Sequence, residues 1–410
     1  NIPGDYATIK ESITALNVNG AGAGGVTFNI AANHTESNAD SLKLTATGTI
    51  DNPIVFQKNP STTGANPQIT RTDAGVLSTS TISGNGDAII TFEGVDYVTF
   101  KNIDLTASSD GIEFGYYIRK ADGTNGCKNI NIKNCTITLN KGTNNRYSFG
   151  ILISNNIITS SVSSSNGVAV TTTGGRHENI AVTGNTIQNS FCGIGQTGYN
   201  HTVSPYEFYD QNITIGSEGE GNTLQNFGGS SIAGTVFGIY TTYGNNVVIS
   251  HNNLDNMASG GSGFVSFASG IMLTTAKGTN ITVSYNTISL TSLSGNTRYM
   301  YCIYGNSGDA TSTINIHHNT FENCSHSSTG AFSAITNGVS SITLNVYSNT
   351  VQNNTILSTV SPSIFSLGSP ANLNIYDNTI SGLTIGAATG TSNIINVTSP
   401  ANMNIYGNTI

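Results

Sequence analysis

Apolar and polar residues alternate in a nonamer that recurs along most of the chain. Its second and fourth positions are Val, Ile, Leu, Phe or Met, and the positions beside them are mostly Asn, Thr, Ser or Lys. A period of two indicates a strand with one buried face. The sequence therefore predicts a short strand in each copy: 97–105, 129–137, 179–187, 212–224 with a four-residue insertion, 246–254, 280–288, 313–321, 343–351, 372–380 and 402–410.

The seventh position of the nonamer measures the length of the repeat. It is Ile103, then Cys135, then Asn in every later copy, at intervals of 32, 50, 37, 30, 34, 33, 30, 29 and 30 residues. A second apolar run lies between copies, for example "FGILI" at 149–153 and "SIFSL" at 363–367. Several strands in a turn of about thirty residues, with no helical pattern between them, predict a parallel β-helix whose coils pair at about 4.8 Å.

The recurring Asn is predicted to be structural. Asn tolerates the left-handed backbone region that a bend requires, and its amide can donate and accept along the stack. Ile103 and Cys135 are expected to replace the amides by apolar stacking in the early coils. The predicted ladder consists of Asn185, Asn222, Asn252, Asn286, Asn319, Asn349, Asn378 and Asn408.

The first residues differ from the repeats. Thr8 and Glu11 have capping-box spacing, and Ile9, Ile13 and Leu16 share one helical face. A short helix is therefore expected to cover the open edge of the first coil. We predict a cap with irregular first coils over 1–95 and regular coils over 96–410, with further coils beyond the last nonamer.

Composition excludes several classes of function. Charged residues make up 9% of the chain, against roughly 25% in an ordinary domain. The net charge of −8 argues against nucleic acid as a partner, and no apolar run approaches the roughly 20 residues of a membrane span. The five Cys show no CxxC spacing, so buried thiols are expected, and no metal or cofactor is predicted.

Several segments carry a resemblance to a known family. "GDYATIKESITALN" (4–17), "GAGGVTFNI" (22–30), "NPIVFQK" (52–58) and "GDAIITFEGVDYVTF" (86–100) resemble the large right-handed, pectin-lyase-like β-helix proteins exported by Bacteroidota. The resemblance covers nearly the whole chain. It implies an all-β, right-handed parallel β-helix that is secreted or displayed on the cell surface, with the type IX secretion machinery as a partner during export.

The wider pectin-lyase-like class includes polysaccharide lyases and glycoside hydrolases, so an enzyme is the alternative function. The paired-Asp motifs of its hydrolases are missing from the sequence, and no catalytic residue is assigned. The nearest approach to a charged site is Asp104, Asp110, Glu113, Arg119, Lys120 and Asp122. These residues fall within one coil or its loop, which favours solvated charges over a site built from several coils.

The repeats, the scarcity of charge and the missing lyase motifs favour a role in adhesion or glycan binding without catalysis, and outward positions of the last four nonamers offer a candidate surface for it. We predict that His317, Tyr347, Tyr376 and Tyr406, at position five, form a column beside Asn345 and Asn374, at position three. The coil spacing of about 4.8 Å is close to the length of one sugar unit. The alternative is that the rings only stabilise neighbouring strands. An insertion at 198–212, rich in Tyr and Phe, is expected to pack on itself rather than to bind sugars.

Overall fold

The computed structural model of this chain describes residues 1–76, 82–83, 85–142, 147–162, 167–229, 234–293, 298–340, 342–360, 362–386 and 391–410. Three long parallel sheets run the length of the molecule, and almost every coil gives one strand to each of them in the same order. The architecture is an all-β parallel β-helix of about 11 turns with a helix near its N-terminus, which confirms the predicted fold class.

The first sheet contains the main part of each nonamer. Burial alternates along strands such as Thr343–Tyr347, because Ile, Val, Leu and Phe point inward and polar residues point outward. Two coils precede the first nonamer. The twelve strands are Val26–Ile30, Ile54–Lys58, Asp96–Lys101, Lys128–Lys133, Glu178–Thr183, Asp210–Ile215, Gly244–Ser250, Asn280–Ser284, Thr313–His317, Thr343–Tyr347, Asn372–Tyr376 and Asn402–Tyr406.

The second sheet begins where the nonamer ends. Each nonamer therefore holds two strands and the corner between them, which corrects the expectation of one strand per copy. The corner lies at positions six and seven, so the last two residues of the nonamer already belong to the next sheet. The eleven strands are Thr35–Asn38, Gln68–Arg71, Asp104–Ala107, Thr136–Thr138, Thr186–Gln188, Thr223–Gln225, Asn253–Asp255, Thr287–Ser289, Thr320–Glu322, Thr350–Gln352 and Thr379–Ser381.

The third sheet contains the second apolar runs that the sequence showed between nonamers. Its inner face carries a column of small residues. A Cβ on Gly193, for example, would lie 2.3 Å from Leu224 Cδ2, so the second and third sheets approach closely there. The eleven strands are Leu42–Leu44, Ala88–Glu93, Phe114–Arg119, Phe149–Ser154, Cys192–Thr197, Val236–Thr242, Ala268–Thr274, Met300–Asn306, Phe332–Asn337, Ser363–Leu367 and Asn393–Val397.

Smaller elements decorate the corners. Ile82–Ser83 pairs antiparallel with Ser161–Val162, and Ser325–His326, Thr355–Ile356 and Thr384–Ile385 form a short parallel sheet. Two single turns of 3₁₀ helix cover Thr173–Gly175 and Ala258–Gly260.

The N-terminal helix spans Ile9–Asn19 and covers the first coil. The Thr8 side chain accepts a hydrogen bond from the backbone N of Glu11, and Ile9, Ile13 and Leu16 are buried against the core, as the capping-box spacing predicted. Glu36, from the second sheet, accepts hydrogen bonds from the backbone N of Ile9 and Lys10. A buried carboxylate at a helix N-terminus fixes the cap to the solenoid.

The corner of the nonamer differs from the expected geometry in one respect. The left-handed residue is at position six rather than at the seventh-position Asn. Position six has φ between 53° and 67° in Asn102, Asn134, Gly184, His251, Tyr285, His318, Ser348, Asp377 and Gly407. Asn is therefore required at position seven for its side chain and not for its backbone conformation.

Candidate functional site

The eight Asn residues at position seven form one continuous column inside the corner between the first and second sheets. The Nδ2 of each donates to the Oδ1 of the Asn in the next coil, over 2.8–3.0 Å from Asn185 to Asn408. The same Nδ2 donates to a backbone O of the preceding coil, as Asn349 does to Ile316 O at 2.9 Å. All except Asn408 are buried. Groups in the neighbouring coils therefore supply the hydrogen bonds that water would otherwise make to each amide.

The column begins at Cys135. The backbone N of Cys135 donates to Asn185 Oδ1 at 3.0 Å. The first Asn of the column therefore accepts a hydrogen bond from the backbone of the preceding coil, where later Asn residues also accept one from a side-chain amide. The thiol itself is buried, and burial raises its pKa to about 11.

The predicted aromatic residues lie in a column on the outer face of the first sheet. Ring centroids are 4.6 Å apart between His317 and Tyr347, 4.8 Å between Tyr347 and Tyr376, and 5.0 Å between Tyr376 and Tyr406. The ring planes are within 13° of parallel. Each ring therefore covers much of the face of the next, which leaves edges and hydroxyl groups toward solvent and favours a contribution to stability.

The ring column extends further upstream than the sequence analysis recognised. His251, Tyr285 and His318 stack at 4.7 Å between successive centroids, at position six instead of five. The two series meet at the neighbouring His317 and His318, whose Nδ1 atoms are 2.9 Å apart. The signal was present, because position six is His, Tyr and His in three successive nonamers.

Amides at position three form a second outer column beside the rings. Asn345 Nδ2 donates to Asn315 Oδ1 at 2.8 Å, and Asn374 Nδ2 donates to Asn345 Oδ1 at 2.7 Å. A primary amide has two N–H donors and an oxygen with two lone pairs. One donor and one lone pair of each amide can therefore serve a partner outside the protein.

The early-coil charged residues do not converge on one site. Asp104 Oδ1 accepts from the backbone N of Thr136 at 2.7 Å, and Asp122 Oδ1 accepts from the backbone N of Thr124 at 2.7 Å. Asp110 borders Gly142. Each of these carboxylates serves its own turn or coil contact.

The other three residues of that set point to different partners. Arg119 Nε donates to Glu93 Oε2 at 2.8 Å. Glu113 is buried, and its Oε2 accepts from the backbone N of Asp87 at 3.3 Å. Lys120 enters the interior instead, where its Nζ lies 3.5 Å from Asp210 Oδ1 and donates to Gly175 O at 2.7 Å.

The Lys120–Asp210 pair belongs to a wholly buried polar network. Asp210 also accepts from the backbone N of His177 at 2.9 Å and from Gln196 Nε2 at 2.8 Å. Burial, followed by the charge of Lys120, lowers the pKa of His177 to about 4. The residues have no exposed surface, so the network joins three coils and offers no site for a substrate.

A second acidic group, which the sequence analysis did not recognise, lies around Arg71. Arg71 Nε donates to Asp73 Oδ1 at 2.7 Å, and Arg71 Nη2 donates to Asp87 Oδ1 at 2.6 Å. The hydrogen bond from Arg71 lowers the pKa of Asp73. A carboxylate held in its ionised form cannot act as the general acid of a hydrolase.

The outer face of the third sheet carries two adjoining cavities, which we call the aromatic groove. The first has a volume of about 320 Å³, and the rings of Tyr147, Phe149, Phe237 and Tyr240 are part of its lining. The second has a volume of about 260 Å³ and is lined by Val265, Ser266, Phe267 and Arg298. Gly234 and Thr235 line both cavities.

The rings around the second cavity extend the groove along the third sheet. Phe267 meets Tyr301 and Tyr304 edge to face, at centroid distances of 5.6 and 6.0 Å. The planes of Tyr301 and Tyr304 are within 12° of parallel. Sequence reasoning missed the groove because its side chains come from several coils and follow no single position of the repeat.

The described ranges of the chain also limit metal, thiol and membrane chemistry. Those ranges contain no group of three or more His, Cys, Asp or Glu that could hold a metal ion. All five Cys are buried and unbridged. Within the same ranges, no helix has the length and apolar character needed to cross a membrane.

Comparison with known proteins identifies the fold and no family. Neither a protein-family model nor a curated protein matches the chain. The crystal structure of the GH136 lacto-N-biosidase from Eubacterium ramulus is similar, with a TM-score of 0.55 at 13% identity. That match covers 96% of this chain and 64% of the lacto-N-biosidase chain, so this chain spans less than two thirds of that protein.

Two more distant structures belong to proteins with different roles. PfbA, a surface adhesin of Streptococcus pneumoniae, has a TM-score of 0.42 at 14% identity, over 97% of this chain and 88% of its own. The alginate lyase from Paenibacillus sp. str. FPU-7 has a TM-score of 0.41 at 12% identity, over 97% of each chain. At these identities a likeness concerns the fold, and the function must be argued from the surface of this chain.

Proposed function

We propose that this chain is a β-helix protein that binds a polysaccharide or cell-surface glycan outside the cell, in adhesion, without catalysing a reaction. The aromatic groove on the third sheet is the proposed binding surface. The column of His317, Tyr347, Tyr376 and Tyr406, with Asn345 and Asn374, is a second and flatter candidate for the same ligand.

The paired cavities of the groove are the observation that carries this proposal. Ligand sites are concave, mostly apolar and aromatic, with a few polar groups that orient the ligand. Tyr240 and Phe237 offer ring surface in the first cavity, while Thr235, which lines both cavities, offers a hydroxyl group. Sugar rings have an apolar C–H face and polar edges, and this combination suits them.

Binding is tested by affinity electrophoresis in gels that contain soluble polysaccharides. The parent is expected to be retarded by at least one polysaccharide, and Tyr240→Ala and Phe267→Ala, one change in each cavity, should each reduce that retardation. Val248→Ala is the control, since it removes an exposed apolar side chain from the first sheet, outside both candidate surfaces. Retardation that is equal in all three variants and the parent would contradict the groove as the site.

A polysaccharide lyase or glycoside hydrolase is the alternative function. The observation that favours it is the meeting of Asp73 and Asp87 at Arg71 in the early coils, where ionised carboxylates beside an arginine suit the proton abstraction of a lyase better than the acid step of a hydrolase. Incubation with the same polysaccharides separates the two functions, because a hydrolase releases new reducing ends and a lyase produces absorbing unsaturated uronides. Turnover by the parent that is lost in Asp87→Asn would replace the binding proposal by the enzyme.

The cellular setting is part of the same proposal. The N-terminal resemblance to exported Bacteroidota proteins supports a secreted or surface location and transfer by the type IX secretion machinery. Cell fractionation of the source organism tests it. Recovery of the protein only from the cytoplasmic fraction would contradict an extracellular role in adhesion.

A further inference from the structure

The insertion at 198–212 builds a cavity at the corner between the third sheet and the next strand of the first sheet. This cavity, which we call the Lys277 pocket, has a volume of about 300 Å³. Four successive coils contribute to it. Its lining is Asn200, His201, Thr202, Tyr209, Tyr243, Thr275, Ala276, Lys277, Asn306 and Gly308.

Aromatic rings form the inner wall of the Lys277 pocket. Tyr209 and Tyr243 are almost fully buried, with ring centroids 5.5 Å apart, and they pack with Ala276 as a hydrophobic cluster separate from the main core. Tyr206 stacks on Tyr209 at 5.4 Å. The inserted loop therefore does pack on itself, as the sequence analysis expected, and it also leaves a cavity beside the packed rings.

The charge of the pocket indicates the class of ligand. After Arg176 the chain contains only two basic residues, Lys277 and Arg298, and each lines a cavity beside aromatic rings. Lys277 is exposed, and none of the ion pairs within the described residues includes it. The other ionisable side chain that can carry positive charge in the lining is His201.

Asp309, an acidic residue bonded to Gly278 beside Lys277, is engaged elsewhere. Asp309 Oδ1 accepts from the backbone N of Gly278 at 3.0 Å and from Thr311 Oγ1 at 2.8 Å, and Oδ2 accepts from Tyr206 at 3.3 Å. These bonds direct the carboxylate toward the loop, and Asp309 is outside the lining of the pocket.

We infer that the Lys277 pocket binds a single carboxylated sugar unit. In this arrangement the carboxylate accepts charge-assisted hydrogen bonds from Lys277 Nζ, the sugar ring lies against Tyr209 and Tyr243, and the amides of Asn200 and Asn306 contact hydroxyl groups. The pocket is separate from the aromatic groove, so its ligand does not depend on the function proposed for that groove.

The test measures binding of methyl β-glucuronide by isothermal titration, with methyl β-glucoside and acetate as comparison probes. The parent should bind the glucuronide and bind each comparison probe at least about tenfold more weakly, which corresponds to losing one charge-assisted contact or the ring contact. Lys277→Gln should weaken glucuronide binding by about tenfold, while Lys277→Arg should retain most of it.

The controls separate this site from the other proposals. Lys10→Gln changes the net charge equally on the capping helix and should leave glucuronide binding unchanged, as should Tyr240→Ala in the aromatic groove. Equal glucuronide binding by Lys277→Gln and the parent, or no binding by the parent, would overturn the inference. If acetate bound as tightly as the glucuronide, the sugar ring would not contribute to binding, and the inference would be wrong. If the glucoside bound as tightly as the glucuronide, the carboxylate would not contribute, and the inference would also be wrong.

Discussion

Aromatic rings stack from coil to coil in the early and the late part of the first sheet, but on opposite faces of that sheet. Near the N-terminus Phe28, Phe56 and Phe100 stack inside, at 4.5 Å between successive centroids. Near the C-terminus Tyr376 and Tyr406 stack outside at 5.0 Å. Phe56 has no exposed surface, whereas Tyr376 is only partly buried. The repeat supplies the stacking in both places, and burial decides how much free energy it contributes.

Charge follows the same division of the chain. Residues 1–176 contain 13 acidic and 12 basic residues, and residues 177–410 contain 9 and 2. Most ion pairs between coils, such as Arg119 with Glu93, lie in the first part. The second part relies on columns of identical amides and rings. An ion pair between coils requires an acidic and a basic residue at two suitable positions. A column of identical residues instead repeats the same contact in every coil.

The largest effect is expected at the buried pair that joins Lys120 of the early, charge-paired part to Asp210 of the second part. Asp210→Ala should lower the free energy of unfolding by about 3–5 kcal/mol, because it leaves the Lys120 ammonium buried without its carboxylate. Denaturant titration measures the change. Asp122→Ala, which alters a solvated turn, should have little effect. If the two variants unfold at the same denaturant concentration, the buried pair does not stabilise the early coils.

A loss of similar size is expected when the inner ring column is broken. Phe56→Ala should cost about 3–5 kcal/mol through a cavity between Phe28 and Phe100, reduced where those rings relax into the space. The matched change in the outer column is Tyr376→Ala, which should cost far less. Equal losses for the two variants would show that burial does not distinguish the columns.

Acid should weaken the early coils through His177. The pKa of His177 is about 4 in the folded protein and 6.5 in the unfolded chain, so between these pH values only the unfolded chain binds a proton at this residue. This contribution to stability is complete above pH 6.5 and is lost as the pH falls from 6.5 toward about 4. His177 resonances that titrate near pH 6.5 in the folded protein would contradict this explanation.

The inner amide column should be the strongest feature of the late coils. Asn349→Ala and Asn378→Ala should each lower the free energy of unfolding by about 1–3 kcal/mol, because neighbouring amides and carbonyl groups lose their partners. Asn374→Ala, in the outer amide column, is the control, since water can replace its contacts. Unchanged melting of both inner variants would exclude the ladder as a source of stability.

Features that recur at one position of the nonamer could be predicted from sequence. Features that combine residues from different positions and several coils could not. The strand at 343–347 and the position of Asn349 follow from a pattern of period two within one nonamer. The left-handed corner at position six was misplaced by one residue, because Asn is common in both roles. The Lys277 pocket combines residues from four coils, and their meeting depends on the path of the inserted loop.

The smallest effect on stability is expected in the outer ring column. Tyr347→Ala combined with Tyr376→Ala should cost about 0.2–1 kcal/mol for each lost pair, since the rings remain partly in water. Calorimetry of the double variant measures this cost. A loss as large as that of Phe56→Ala would make the outer column a main support of the late coils.

Glycan binding at the aromatic groove is the central claim, and one paired titration tests it most directly. Oligosaccharides prepared from a polysaccharide that retards the parent are titrated into two double variants: Tyr240→Ala with Phe267→Ala in the groove, and Tyr347→Ala with Tyr376→Ala in the column. We predict that the groove variant loses binding at an almost unchanged melting temperature while the column variant retains it. Binding retained by the groove variant and lost by the column variant would contradict the claim and move the site to the first sheet.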